Sequence, residues 1–171
     1  MRLFVAVTPP PEVLDAIATL PRPDEPGVRW VPREQWHVTL RFLGDADPDA
    51  VAAALDGALG DGADRVPHAT GARCELGPVV SRLGRSVVCV PASGLDELAR
   101  VVTTATAHLG TPPDPRPFTG HLTLARLRQR AACGVTGAPF RASFDVRDVD
   151  LVESRLGSDG ATHTRRGRWP V

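Results

Sequence analysis

Lysine is absent from this 171-residue chain, and all twenty basic residues are arginine. Together with abundant Ala, Gly and Pro, this follows a GC-rich coding bias and carries no mechanistic information. Cysteine is scarce. Cys74, Cys89 and Cys133 are odd in number and widely scattered, which fits neither a disulfide framework nor the paired ligand spacing of a zinc site. Reduced, buried thiols are expected. Net charge is also missing: twenty acidic residues cancel the twenty basic ones. There is therefore no overall positive field of the kind that drives tight non-specific binding to long nucleic acid, and any nucleic-acid partner must be met locally. Long apolar runs are lacking too. Leu3-Phe4-Val5-Ala6-Val7 stops at the prolines from Pro9 to Pro11, too short for a signal-peptide core or a membrane span. A cytoplasmic protein with no membrane partner is expected.

What is present is a globular composition, 42% apolar, in a chain long enough for one compact unit or two closely joined lobes. Two stretches nearly repeat each other: His37-Val38-Thr39-Leu40 and His121-Leu122-Thr123-Leu124. Each puts a histidine and a threonine two residues apart with apolar residues between and after, the period-2 pattern of a half-buried strand. Imidazole and hydroxyl then leave the same face. Delivered twice, they are suited to holding a phosphate between two opposed acid-base groups.

The surrounding segments correspond as well, which is what an internal duplication predicts. Leu3 to Val7 resembles Ser86-Val87-Val88-Cys89-Val90, and each run precedes a helix. The first helix is expected over Pro11 to Leu20, with Leu14 and Ile17 inward and Pro21 ending it. The second is expected from Gly94 to Leu109, with Ser93 as N-cap and a stripe of Leu95, Leu98, Val102, Ala105 and Leu109. Proline-rich loops, Pro21 to Pro32 and Thr111 to Pro117, then lead to the two histidines. The distance from strand to histidine agrees in the two halves to within one residue. After the first motif, Asp47 caps a helix that opens on Pro48 and buries Val51, Leu55 and Leu59. The second half has only a short Gly-containing stretch there, Ala131 to Pro139. Both halves finish in a hairpin, turning at Ser81-Arg82-Leu83-Gly84 and Ser154-Arg155-Leu156-Gly157. The expected fold is α+β: two pseudo-symmetric lobes of largely antiparallel sheet with outer helices, roughly 1–84 and 85–171, forming a single bilobal domain over 1–171 with the active site in the cleft between the lobes.

A histidine followed two residues later by threonine is weak evidence alone, since His68-Ala69-Thr70 is a third instance. That one lacks strand alternation and reads as a loop or strand edge. Either of the other motifs alone reads as a satisfied polar pair near a sheet edge, its threonine chosen for strand propensity. At corresponding points of a duplicated unit, the pair reads as catalytic.

On these residues the chain resembles the 2H phosphoesterase superfamily, and within it the RNA 2',3'-cyclic phosphodiesterases, also called 2'-5' RNA ligases. The likeness is carried by His37 to Gly44, by Arg116-Pro117-Phe118-Thr119-Gly120-His121-Leu122-Thr123-Leu124-Ala125-Arg126, and by Leu151-Val152-Glu153-Ser154-Arg155-Leu156-Gly157. The family pattern commonly continues this tail to a tyrosine, where this chain has His163. The resemblance implies a LigT-like duplication, His37 as proton donor to the 3'-oxygen, His121 as proton acceptor activating water, and Thr39, Thr123 and Arg126 as phosphate-binding residues. It implies RNA ends or short oligonucleotides bearing a 2',3'-cyclic phosphate as partners; no cofactor, no metal and a monomer are expected.

Spacing alone does not assign acid and base, because two nearly equivalent imidazoles titrate as a coupled pair. For the phosphate's cationic partner, simple alternation favours Arg41, whereas the resemblance points to Arg126, which needs a bulge or strand end to turn it inward. A solvated surface charge is the other reading of Arg41. Trp30, Trp36 and Phe118 lie beside the loops leading to the histidines, where an unpaired base can stack; ordinary packing is the alternative. His108 is expected to meet a helix C-terminus. Competing functions are an RNA-end or nucleotide-binding module without chemistry, 2'-5' ligation at the same site, and a histidine metal site, the last disfavoured for want of carboxylate or thiolate ligands nearby.

Overall fold

The alternating runs become strands of one sheet whose named pairings are all antiparallel. The structure, a computed structural model, describes residues 1–60, 71–128, 131–158 and 160–171; His68 and Thr70 lie outside the described residues. The chain runs β1 (Arg2–Val7), α1 (Pro11–Ala18), β2 (Val28–Trp30), a 3₁₀ turn (Arg33–Gln35), β3 (Val38–Asp45), α2 (Pro48–Leu59), β4 (Arg73–Leu76), β5 (Ser81–Leu83), β6 (Val87–Ser93), α3 (Asp96–Ala105), β7 (His121–Leu127), β8 (Ala142–Asp145), β9 (Asp148–Gly157) and β10 (Gly160–Pro170). The strand order is β10-β9-β1-β3-β7-β6-β4-β8, with β2 added to β7 and β5 to β6. This is the α+β architecture expected from the sequence.

The correspondence of the halves is visible in the register. Val7 of β1 lies opposite Val38, the residue after His37, and Val90 of β6 lies opposite Leu122, the residue after His121. The outer strands are exchanged, however. β1 is flanked by β9 from the end of the chain, and β6 by β4 and β5 from the first half.

Helix ends differ from the sequence-based expectation for local reasons. α1 stops at Ala18, and Val13 rather than Leu14 shares its inner face with Ile17, four residues on. Ser93 does not cap α3. It is the last residue of β6, and Gly94 takes a φ of +85°, a left-handed backbone that cannot start a helix. α3 therefore begins at Asp96 and ends at Ala105, four residues short of Leu109. Thr106, fully buried, closes it with its hydroxyl on the Val102 carbonyl at 2.7 Å. α2 matches expectation: Asp47 accepts from the Asp49 amide at 3.0 Å, and Val51, Leu55 and Leu59 are buried. The first Ser-Arg-Leu-Gly stretch contributes only its Gly84 to the hairpin turn, and the second ends before its turn. Ser81 to Leu83 and Ser154 to Gly157 are strand, and the turns follow at Gly84 to Ser86 and from Ser158.

α3 packs on β3, and α2 on α3 and β10, where the Trp169 indole donates to Asp56 at 2.6 Å. Cys74, Cys89 and Cys133 are free and buried, as expected. Burial raises all three thiols, Cys74 to about 12, which leaves them inert.

Candidate active site

The two histidine strands meet at Val38 opposite Leu122. Because β3 and β7 are antiparallel, continuing that register sets His37 against Thr123 and Thr39 against His121. The four polar side chains thus form a square around the apolar pair, and all four line one cleft of about 290 Å³. Val38 and Leu122 are fully buried on the opposite face.

Both imidazoles are held in the same way. Nδ1 of His37 donates to the Gln35 carbonyl at 2.6 Å, and Nδ1 of His121 to the Thr119 carbonyl at 2.9 Å, each two residues back. A carbonyl can only accept, so Nδ1 carries the proton and Nε2 is left as the reactive edge. His37 Nε2 stands 3.1 Å from the Thr39 hydroxyl. Gly120, just before His121, is required by close approach: a Cβ there would collide with the Ala92 carbonyl oxygen of β6.

The surroundings of His37 are apolar and cationic. Phe4 stacks on its ring at 4.7 Å, and His163 meets both rings edge-on, at 5.4 Å from His37 and 5.1 Å from Phe4. Burial lowers the His37 pKa to about 4. The Gln35 carbonyl opposes this, while the charges of His163, His121 and Arg126 add to the depression. Burial also lowers His163. The ligand-free site therefore holds His37 neutral at pH 7.

The arginine question is decided by paired bulges. Val5 faces Arg41 and Ala6 faces Thr39, leaving Leu40 as an extra residue in β3; Val88 faces Ala125 and Cys89 faces Thr123, leaving Leu124 extra in β7. Each bulge sits three residues after its histidine and inverts the alternation beyond it. Arg126 is thereby turned out into the cleft. Arg41 is turned inward, 6% exposed, which corrects both the alternation argument and the surface reading. Its Nη1 and Nη2 donate to the Phe42 and Thr111 carbonyls, and Nε has no partner. Burial lowers its pKa. It pins the loop after α3 to β3. Arg41→Ala is expected to destabilise the fold by about 1–3 kcal/mol through the orphaned Thr111 carbonyl, with kcat unchanged. Denaturant midpoints beside steady-state assays check this.

Of the aromatic candidates, Trp30 lines the cleft. Trp36 is 2% exposed and belongs to the core, its indole donating to Val31, and Phe118 packs against the same core. His108 is exposed beyond α3 and does not line the cleft. The nearby carbonyls of Val102, Thr104 and Thr106 are taken by the amides of Thr106, Ala107 and Leu109. Sequence reasoning missed Phe4 and Arg29, which reach the site through strand pairing, and Gln35, which reaches it from the 3₁₀ turn two residues before His37. The brief alternation Val28-Arg29-Trp30 was the available signal for β2. Among the described residues no cluster of metal-ligating side chains forms, and no helix is long and apolar enough to cross a membrane.

Two His-x-Thr strands that present both imidazoles and both hydroxyls on one face are the pattern for which the 2H phosphoesterases are named. The chain belongs to the LigT-like phosphoesterase family, whose model matches residues 7–69. It is 31% identical over 178 residues to the RNA 2',3'-cyclic phosphodiesterase of Escherichia coli K12, covering 99% of this chain and 96% of that protein. It is 34% identical over 106 residues to a Geobacillus stearothermophilus protein of the same name, but that match spans only 33% of the longer relative. Among solved structures, a Thermus thermophilus protein superposes with a TM-score of 0.76 at 28% identity, over 99% of this chain and 97% of that one. E. coli LigT in complex with 3'-AMP gives 0.73 at 26% identity, over 99% and 97%.

Proposed function

We propose that the chain hydrolyses 2',3'-cyclic phosphate ends of RNA or short oligonucleotides to 2'-phosphate ends, acting as a cytoplasmic monomer without metal. The observation that carries this reading is the square of His37, Thr39, His121 and Thr123 about the Val38–Leu122 pair, with each imidazole's Nδ1 tied to a carbonyl. In-line opening of the cyclic ester needs a base for water on one side of phosphorus and an acid for the leaving 3'-oxygen on the other. His121 takes the proton from water, and His37 gives its Nε2 proton to the 3'-oxygen. Thr39, Thr123 and Arg126 hold the non-bridging oxygens as charge grows on them.

A donor held near 4 must first be charged. Raising His37 from about 4 to about 7 takes about 4 kcal/mol, and a phosphate monoanion about 4 Å away supplies about 4 kcal/mol at an effective dielectric near 20. The substrate's own charge thus brings the proton on. In the pH profile of kcat/KM, which reports the free enzyme, one limb is expected near 4, well below ordinary histidine, because His37 titrates there whichever way the proton moves. In kcat the same limb should move upward. Rates from pH 3.5 to 9 check both.

E. coli LigT has been crystallised with 3'-AMP and with phosphate, which supports a nucleotide-sized anion in this cleft. The direct test is a defined oligonucleotide ending in a 2',3'-cyclic phosphate, incubated with the protein in chelator. The expected product is the 2'-phosphate; a 3'-phosphate or no turnover would contradict the proposal.

A further inference from the structure

Arg29 of β2 lies directly opposite Arg126 of β7, and both line the cleft. Opposed residues of an antiparallel pair have Cβ atoms about 4.5–5.5 Å apart, and like charges there are destabilising. Elsewhere the sheet matches such arginines with carboxylates: Arg168 with Asp150 and Arg166 with Glu153 across β10 and β9, and Arg73 with Asp145 across β4 and β8. Neither Arg29 nor Arg126 has a carboxylate partner among the described residues. Two unpaired guanidinium groups kept side by side on a cleft wall are the arrangement an anion relieves.

The two cations serve different positions. Arg126 stands close enough to the histidines for its charge to act on His37. Arg29 reaches instead toward the tip of the β9–β10 hairpin, where its Nη1 lies 3.7 Å from the place a Cβ on Gly160 would occupy. That hairpin is fastened to the 3₁₀ turn by Gln35, whose amide donates to the Ala161 carbonyl at 2.5 Å. Trp30, its indole pinned to the Pro23 carbonyl at 3.0 Å, completes the same wall.

We propose that Arg29 forms a second phosphate subsite for the phosphate on the 5'-oxygen of the terminal nucleoside, so that the enzyme selects oligonucleotide ends over nucleoside 2',3'-cyclic phosphates. This rests on reading the cleft as a cyclic phosphodiesterase site. Arg126 serves the scissile phosphate, and Arg29 the next one upstream. A charge-assisted hydrogen bond of about 1.5–3 kcal/mol corresponds to a preference of about 10- to 100-fold.

The test compares kcat/KM for a dinucleotide ending in a 2',3'-cyclic phosphate, the same dinucleotide with a neutral methylphosphonate linkage, and the nucleoside 2',3'-cyclic phosphate. Wild-type protein should favour the first over the third by about 10- to 100-fold. The methylphosphonate should lose that advantage, and in Arg29→Gln the ratio should approach one. A ratio near one in wild-type protein, or one unchanged in Arg29→Gln, would overturn the subsite. Calorimetry with nucleoside 2'-phosphates with and without a 5'-phosphate gives a readout independent of turnover: wild-type protein should bind the 5'-phosphorylated compound more tightly, and Arg29→Gln should not. If no substrate were turned over, the proposed function would fall, and the calorimetric difference would still decide the subsite.

Discussion

His37→Ala and His121→Ala are each expected to lower kcat for cyclic phosphate opening by about 10²–10⁴-fold, the range of a positioned general acid or base. The double variant should be scarcely worse than the poorer single one, because in the proposed mechanism the two groups act in one concerted transfer and their losses do not add. The two single variants should differ in one respect. With a substrate whose leaving 3'-oxygen is replaced by sulfur, protonation of the leaving group matters little, so His37→Ala should recover most of its lost rate while His121→Ala should not. Recovery in His121→Ala instead would exchange the acid and base roles. Single-turnover rates on the two substrates make the comparison. Neither substitution should unfold the chain, since both rings line an open cleft while the core lies beneath them at Val38, Leu40, Leu122 and Leu124.

The second large effect concerns charge on phosphorus. Thr39→Val and Thr123→Val keep the strand shape and remove one donor each, and Arg126→Ala removes a cation from the cleft wall. Loss of one such donor costs about 2.7–4 kcal/mol in activation free energy, or about 10²–10³ in kcat. The loss should fall mainly on kcat, with KM less changed, because the bonds strengthen as the oxygens gain charge. Arg126→Ala should also raise the lower limb of the kcat/KM profile, since Arg126 is one of the cations holding His37 down. A lower limb that stayed in place would mean that the Arg126 charge does not act on His37.

The gathering of His37, Thr39, His121 and Thr123 in one cleft was largely legible from the chain because it is written in local order. A histidine, an apolar residue and a threonine on a strand place imidazole and hydroxyl on one face whatever the rest of the fold does. A near-identical stretch elsewhere implied the second half of the site, and the register at Val38 and Leu122 brings the two together. What local order does not carry is the count of residues between paired strands. Leu40 and Leu124 are invisible as bulges in sequence, since leucine suits a regular strand equally well, yet they decide that Arg126 enters the cleft and Arg41 does not. Ser93 was a plausible cap by type, and only the left-handed backbone of Gly94 disqualifies it. Phe4 reaches the His37 ring, and Arg29 and His163 reach the cleft, through partners distant in sequence. His163 is brought beside His37 only because β10 folds back on β9, and β9 on β1.

A crystal structure with a nucleoside 2'-phosphate soaked into the cleft tests the two-histidine claim most directly. The expected result is a single phosphorus flanked on opposite sides by Nε2 of His37 and Nε2 of His121, each about 2.6–3.2 Å from an oxygen, with Thr39, Thr123 and Arg126 on the remaining oxygens. A phosphate held by one histidine alone, or bound outside the cleft, would contradict it.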